Sequence, residues 1–197
     1  MEDGVYKVYP LQWTGSPFDV YCREGWTVFQ RRQDGSVDFY LEWTSYKEGF
    51  GNVENEMWLG NEKLFYLTSQ YPNELRINVT FDDNSSYWLS YDVFGIGDEQ
   101  TNFILDNLGS FTGNTGYDYM AFHRHQQFTT FDRDNDAHNS QNCAKRHFGA
   151  WWYRNCYASN LNGLYGYDVD TGVCLYDRDD LLQNCNIRFT EMSIRPA

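Results

Sequence analysis

The chain has no apolar run approaching the ~18 residues that a membrane-spanning helix requires, so insertion into a bilayer is not expected. Its first ten residues, MEDGVYKVYP, lack the basic and apolar regions of a secretory leader, and any targeting signal would lie upstream. Basic residues are scarce, 15 Lys and Arg against 28 Asp and Glu, giving a formal charge of −13. Nucleic-acid phosphates and anionic membrane surfaces would be repelled, which argues against both as partners. There is no C-x-x-C, so the usual zinc spacings do not apply. H-E-x-x-H, G-x-S-x-G and a P-loop are also missing, and no carboxylate pair stands out as a glycosidase couple. No catalytic constellation emerges, and the chain is read as a non-enzyme. Internal repeats and low-complexity linkers are absent as well.

Aromatic residues are abundant. The 14 Phe, 16 Tyr and 7 Trp make up 19% of 197 residues, enough to bury a large core with few side chains. A mean hydropathy of −0.69 points to long polar loops around that core rather than a helical bundle. Five cysteines are present. Cys143 and Cys156 lie 13 residues apart, Cys174 and Cys185 lie 11 apart, and Cys22 stands alone. Close pairs without a zinc pattern suit disulfides in an oxidising compartment, and an odd cysteine implies a partner outside the chain. The sequons Asn78-Val79-Thr80 and Asn84-Ser85-Ser86 are compatible with secretion.

Hydrophobic alternation predicts strands at Val5–Tyr9, Phe18–Tyr21 and Trp26–Gln30, the last ending at the Asp34-Gly35 turn. Residues 39–48 read as a short helix stopped by Gly49. Asn61 is placed as N-cap of a second helix, Glu62 to Gln70. In residues 74–81 the side chains of Leu75, Ile77, Val79 and Phe81 share one face. Further strands are expected at 86–94 and 102–108, forming a meander. From about Gly113 to Asp180 the pattern is mostly loop, and Ile187 to Ile194 reads as a last strand returning to the sheet. A loop region of that length is unusual in a compact domain unless it is functional or stapled, and this one holds three of the five cysteines, with Cys185 just beyond it.

The richest stretch is Thr129 to Gly163, TTFDRDNDAHNSQNCAKRHFGAWWYRNCYASNLNG. Asp132, Asp134 and Asp136 alternate along an acidic loop. The run is not an EF-hand, because its sixth position is Ala137 and its twelfth is Cys143. Two or three carboxylates followed by Asn and Ser suit Ca²⁺, which takes six to eight oxygens in irregular geometry, while the plain alternative is an Asx-bonded turn. A Cys143–Cys156 bridge would close a short loop, worth about 3 kcal/mol in the chain-entropy treatment, and a Cys–His147 nucleophile is set aside because paired cysteines are inert. If His123-x-His125 lay on a strand, both rings would share a face, but ordinary surface or core histidines are the simpler reading of these residues and of His138 and His147.

Taken in order, GVYKVYP at 4–10, PFDVYC at 17–22, GWTVFQRRQDGSVDFY at 25–40, YKEGFGN at 46–52, WLGNEKL at 58–64, FTTFDRDND at 128–136, NCA at 142–144, GAWWYRNC at 149–156, SNLNG at 159–163 and EMSIRP at 191–196 resemble the fibrinogen C-terminal-like domain family of fibrinogen chains, ficolins, tachylectins and angiopoietins. The resemblance spans essentially the whole chain. It implies one α+β domain over 1–197, with an N-terminal part (1–45), a central twisted antiparallel sheet (46–115) and a loop-rich calcium and ligand region (116–197). It also implies a Cys143–Cys156 disulfide, a partner for Cys22 upstream, and a Ca²⁺ site made by the Asp134 and Asp136 carboxylates with main-chain carbonyls of His138 and Ser140. Between Asp136 and Asn142 the chain is one residue longer than the ficolin-like pattern. Cys174 and Cys185 lie outside the common pattern and are expected to pair with each other.

In lectin-like members of the family, a pocket beside the calcium takes the acetyl group of N-acetylated sugars next to a cis peptide. The matching positions here are His147, Asn155, Cys156 and Tyr157. Three departures mark this chain: His147 stands where Tyr or Phe is usual, Tyr157 where His is usual, and the far wall near Val169 to Thr171 is shorter. The expected function is a secreted, calcium-dependent recognition lectin. It would bind acetylated glycans of the N-acetylglucosamine type on microbial surfaces in innate defence or agglutination, and act as a multimer. The alternative is a protein-binding module with a receptor or peptide ligand.

Overall fold

A computed structural model of the chain describes residues 2–167 and 169–197. Its first strands are β1 (Gly4–Val8), β2 (Phe18–Arg23) and β3 (Trp26–Arg32). Helix α1 (Trp43–Glu48) follows, then the two-residue strands β4 (Phe50–Gly51) and β5 (Met57–Trp58), and helix α2 (Asn61–Ser69). The long hairpin β6 (Asn73–Phe81) and β7 (Ser86–Gly95) leads to β8 (Asn107–Leu108) and β9 (Phe111–Gly113). Helix α3 (Cys143–His147), the small strands β10 (Ser159–Asn160), β11 (Cys174–Asp177) and β12 (Leu182–Asn184), and the closing strand β13 (Ile187–Pro196) complete the chain. The fold is α+β.

The main sheet has the order β1-β2-β3-β13-β6-β7-β8, with β5 and then β4 beside β3, and β9 on β7. Every pairing in it is antiparallel. The last strand therefore lies between β3 and β6, pairing Met192 with Gln30 on one side and Ile77 on the other. As the alternation of 74–81 requires, Leu75, Ile77, Val79 and Phe81 are all buried. Aromatic rings fill the space over this face. Phe29, Trp58, Phe128 and Trp152 form a continuous cluster, with centroid separations from 5.3 Å (Phe128–Trp152) to 6.1 Å (Trp58–Trp152). Such pairs contribute beyond their buried area.

Buried charges are paired. Glu191 on β13 accepts from Arg31 Nε at 2.9 Å and lies 3.2 Å from Arg23 Nη1. Glu56, fully buried, accepts backbone N–H bonds from Gln33, Asp34, Gly35 and Val37, so it holds the turn after β3. Gly49 ends α1 at φ +94°, where a Cβ would stand 2.1 Å from the Leu59 carbonyl oxygen.

Three local expectations are corrected. Helix α2 begins at Asn61 with Gly60 as N-cap, and the Asn61 side chain accepts instead from Trp58 Nε1 at 3.0 Å inside the core. Residues 102–108 form only the short strand Asn107–Leu108, because Asn102 and Phe103 take left-handed backbone conformations (φ +54° and +49°) that no strand can hold. The span 113–180 is also more ordered than a loop reading allows. It contains α3 and two strands, β10 and β11, of a second antiparallel sheet that β12 completes just beyond it. Six of the expected strands appear close to where the pattern put them: the first three, the pair at 74–81 and 86–94, and the returning strand near Ile187.

Candidate functional site

The polar run Ser159 to Gly163 joins the two sheets. From β3, Gln30 Nε2 donates to the Leu161 carbonyl at 3.0 Å, and Arg32 Nη1 donates to the Gly163 carbonyl at 2.5 Å. Asn160 is buried. Its Oδ1 accepts from the Tyr153 hydroxyl at 2.5 Å, and its Nδ2 donates to the Gly172 carbonyl at 3.1 Å. Asn162 Nδ2 donates to the Ala150 carbonyl. These asparagines act as buried backbone clamps, which explains a polar run inside a core. Gly163 has no room for a side chain, since a Cβ would sit 2.1 Å from the Gly172 oxygen.

His123 and His125 do not share a face. Residues Ala121–His123 form a 3₁₀ turn, and His125 is exposed at φ +61°. His123 is fully buried. Its Nδ1 faces the Trp152 carbonyl at 2.7 Å, and its Nε2 accepts the N–H groups of Ala158 and Ser159. The ring is therefore the neutral Nδ1–H tautomer. Burial holds its pKa down to about 4.

Helix α3 starts with Asn142 as N-cap, its Oδ1 accepting the Lys145 N–H at 2.8 Å. The Cys143–Cys156 disulfide ties this start to the Asn155–Cys156 peptide, which is cis. A second disulfide, Cys174–Cys185, links the outer ends of the β11–β12 hairpin. Cys22 is a buried free thiol on β2.

The acidic loop packs against α3. Asp136 Oδ1 accepts the His138 N–H at 2.8 Å, and Oδ2 accepts the Cys143 N–H at 2.7 Å. Asp134 Oδ1 accepts the Asp136 N–H. Asp132 is spent elsewhere, accepting the Trp43 N–H at the start of α1 and the Thr130 hydroxyl. Burial raises the pKa of Asp136, and the neighbouring Asp134 carboxylate raises it further. Two facing carboxylates of this kind suit a cation. Among the described residues no three His, Cys, Asp or Glu side chains converge, and the carbonyls of His138 and Ser140 accept no protein hydrogen bond. Carboxylates plus free carbonyls match the hard, all-oxygen preference of Ca²⁺ and not the nitrogen and sulfur preference of zinc. The residues present fit calcium.

Beside this loop a recess of about 300 Å³ is lined by Arg146, His147, Asn155, Cys156, Tyr157, Asp170, Tyr176, Arg178 and Gln183. All four residues expected to bind ligand, His147, Asn155, Cys156 and Tyr157, meet here. The loop is tethered to this side of the domain by the Ala137 N–H, which donates to the Arg154 carbonyl at 3.0 Å. His147 Nδ1 and the Tyr157 hydroxyl both donate to the Asp170 carbonyl at 2.9 Å, and the two rings meet edge to face at 4.8 Å. Burial lowers the pKa of His147 and raises that of Tyr157, so both are neutral near pH 7. Gln183 Nε2 donates to the Tyr157 hydroxyl at 2.8 Å, and Arg178 Nη1 donates to the Tyr157 carbonyl at 3.3 Å. Among the described residues the N–H groups of Cys156 and Tyr157 have no protein acceptor. The recess is thus lined by residues that carry free N–H donors, by aromatic rings and by a half-exposed carboxylate, Asp170.

Sequence reasoning missed Arg146, Tyr176, Arg178 and Gln183, and it noted Asp170 only as part of a shortened wall. Tyr176 and Gln183 are a cross-strand pair of the β11–β12 hairpin. The one signal for them was the Cys174–Cys185 spacing, which brackets that hairpin.

The family description "Fibrinogen beta and gamma chains, C-terminal globular domain" matches residues 1–197. Fibrinogen C domain-containing protein 1 of Xenopus tropicalis is 41% identical over 206 residues, covering 99% of this chain and 44% of the relative, so the chain spans less than half of that protein. Among solved structures, the fibrinogen-like globe domain of human ANGPTL2 is similar with a TM-score of 0.89 at 36% identity, covering 99% of this chain and 93% of that one. A lamprey fibrin D-dimer complexed with the peptide ligand Gly-His-Arg-Pro-amide is similar with a TM-score of 0.85 at 31% identity, covering 100% and 70%.

Proposed function

Because this chain belongs to the fibrinogen C-terminal domain family, we propose that it is an extracellular recognition module whose ligand sits in the recess at Asn155–Cys156, supported by Ca²⁺ on the neighbouring acidic loop. The ligand class we propose is the acetamido group of an acetylated glycan of the N-acetylglucosamine type. The single observation behind this is a pair of N–H groups, those of Cys156 and Tyr157, that have no acceptor among the described residues and belong to a recess with aromatic rings. An acetyl oxygen needs a donor and its methyl needs an apolar edge, and Tyr157 and Tyr176 supply the edge. When bound, Ca²⁺ would hold Asp134 and Asp136 together through their carboxylates, with carbonyls from His138 and Ser140, and would steady the loop behind Cys143. The two disulfides suit an oxidising, extracellular setting. One weak pocket per domain suits multimers that gain avidity on a microbial surface array.

Retention on immobilised N-acetylglucosamine tests this reading. Binding in Ca²⁺, release by free N-acetylglucosamine but not by glucose, and loss in EDTA are the expected results. A folded, calcium-loaded protein that fails to bind would overturn it.

A protein-ligand reading is favoured by one feature. The half-exposed Asp170 carboxylate is a natural partner for a basic peptide group, and the related lamprey fibrin is seen with a peptide ligand. Under that reading a peptide carrying Arg competes where the sugar does not, and Asp170→Asn abolishes the competition.

A further inference from the structure

The β11–β12 hairpin has two faces, and only one of them borders the recess. Tyr176 and Gln183 point to the recess. Their neighbours Leu175, Asp177, Leu182 and Asn184 alternate to the other face and line a second cleft of about 400 Å³. The opposite wall is the tip of the β6–β7 hairpin, which contributes Phe81, Asp83, Ser85 and Tyr87, with Thr115 and Tyr119 at the floor. This volume lies within the range of ligand pockets, about 300–1,000 Å³.

The chemistry of the cleft is the reverse of the recess. Two arginines line the recess, whereas among the described residues no Lys or Arg lines the cleft. Its wall combines aromatic surface with acceptors. Tyr87 is partly exposed and is held edge-on to Phe81 at a centroid distance of 5.5 Å and an angle of 88°. Asp83 and Asp177 each have one carboxylate oxygen engaged by local backbone N–H groups, which fixes their side chains and leaves the other oxygen open. Asp180 donates its backbone N–H to Asp177, and its carboxylate makes no hydrogen bond or ion pair with the described residues. Arg178, on the same turn, is turned away and stacks on Phe122 at 4.2 Å. A fixed aromatic face beside several open carboxylates and the amides of Asn184 and Asn186 matches a sugar ring, with C–H groups on the ring face and hydroxyls donating at the edge. Excess acceptors and the lack of any cation exclude acidic and sulfated sugars and favour a ligand that is itself a cationic donor.

We propose that this cleft is a second ligand site, separate from the recess, for a hexosamine unit carrying a free amino group. It does not depend on what the recess binds. The amine would meet Asp180, and the ring would lie against Tyr87.

The test is calorimetric titration of the domain with a glucosamine trimer near neutral pH, with the cleft variants rather than a recess ligand locating the binding. The expected result is binding that Tyr87→Ala combined with Asp180→Asn weakens at least tenfold, and that Glu54→Gln, an exposed acid far along the chain, leaves unchanged. The single variant Asp180→Asn, close in shape to the native residue, gives the answer if the double variant does not fold. The proposal is overturned by no binding, by equal affinity for the N-acetylated trimer or for ethanolamine, or by equal weakening in Glu54→Gln, which would mark general attraction to an acidic surface.

Discussion

His123 is a single residue whose role depends on three partners that the chain brings from elsewhere. Its Nδ1 donates to Trp152, and its Nε2 accepts from Ala158 and Ser159, the backbone that follows Cys156. Protonation would turn that acceptor into a donor facing two N–H groups. The folded ring resists protonation down to about 4, against an ordinary value of 6.5. The unfolded chain takes up the proton first, so the contribution of His123 to stability is complete above pH 6.5 and is lost as pH falls toward 4. The difference corresponds to roughly 3 kcal/mol. Urea denaturation followed across pH 7 to 4 should show a decline that is shallower in His123→Gln. Equal slopes in the two proteins would mean the ring is not the group responsible. At this scale the sequence was legible where a residue's neighbours are local. Asp136 accepts the N–H two residues on, the bond that the Asx-turn reading of the acidic loop anticipated. His123, Asn160 and Gln183 were not legible, because their partners lie on other elements and no periodicity announces them.

The β11–β12 hairpin decides much of the candidate site at the scale of elements. It walls the recess on one face and the second cleft on the other, yet its strands are only four and three residues long. Alternation over so few residues does not separate a strand from a loop, so 113–180 reads as irregular even though the cysteine spacing is plain. Apolar support reaches the hairpin through β11, where Cys174 and Leu175 are buried, whereas β12 is exposed along its whole length. Its order therefore depends on the Cys174–Cys185 bridge, which closes a loop of 11 residues and is worth about 3 kcal/mol in the chain-entropy treatment. Replacing both cysteines by serine should lower stability by about that amount. It should also weaken ligands of both clefts together, because each loses a wall. Hydrogen exchange localised to 174–185 would report the loosening directly. A variant with unchanged exchange there would show that the main sheet alone orders the hairpin. Cys143–Cys156 differs in that the Cys143 N–H is held by the Asp136 carboxylate, so a hydrogen bond as well as packing supports that end of the bridge.

The whole molecule is closed by its last strand. The order β3-β13-β6 places residues 187–196 between a strand from the first thirty-two residues and one from the middle of the chain. The alternation of Ile187 to Ile194 made a strand legible there, and its return to the sheet was expected. Its central position was not, because nothing local to a strand says which two neighbours it will take. The energetics follow from the placement. β3 and β6 do not pair with each other, so without β13 both expose a row of unpaired N–H and C=O groups. Arg31 would also be left buried without Glu191, and losing one member of a buried ion pair costs about 3–5 kcal/mol. That alone is a large part of the stability expected of a single domain, about 5–15 kcal/mol. A chain ending at Asn186 should therefore show no cooperative unfolding transition and should bind hydrophobic dye, even with both disulfides formed. Glu191→Gln, which keeps the strand and removes only the charge, should still fold, with a loss confined to the pair term. If the truncated chain unfolded cooperatively, β1–β3 and β6–β9 would be independent units, and the sheet would be an assembly of two parts rather than one structure closed from its far end.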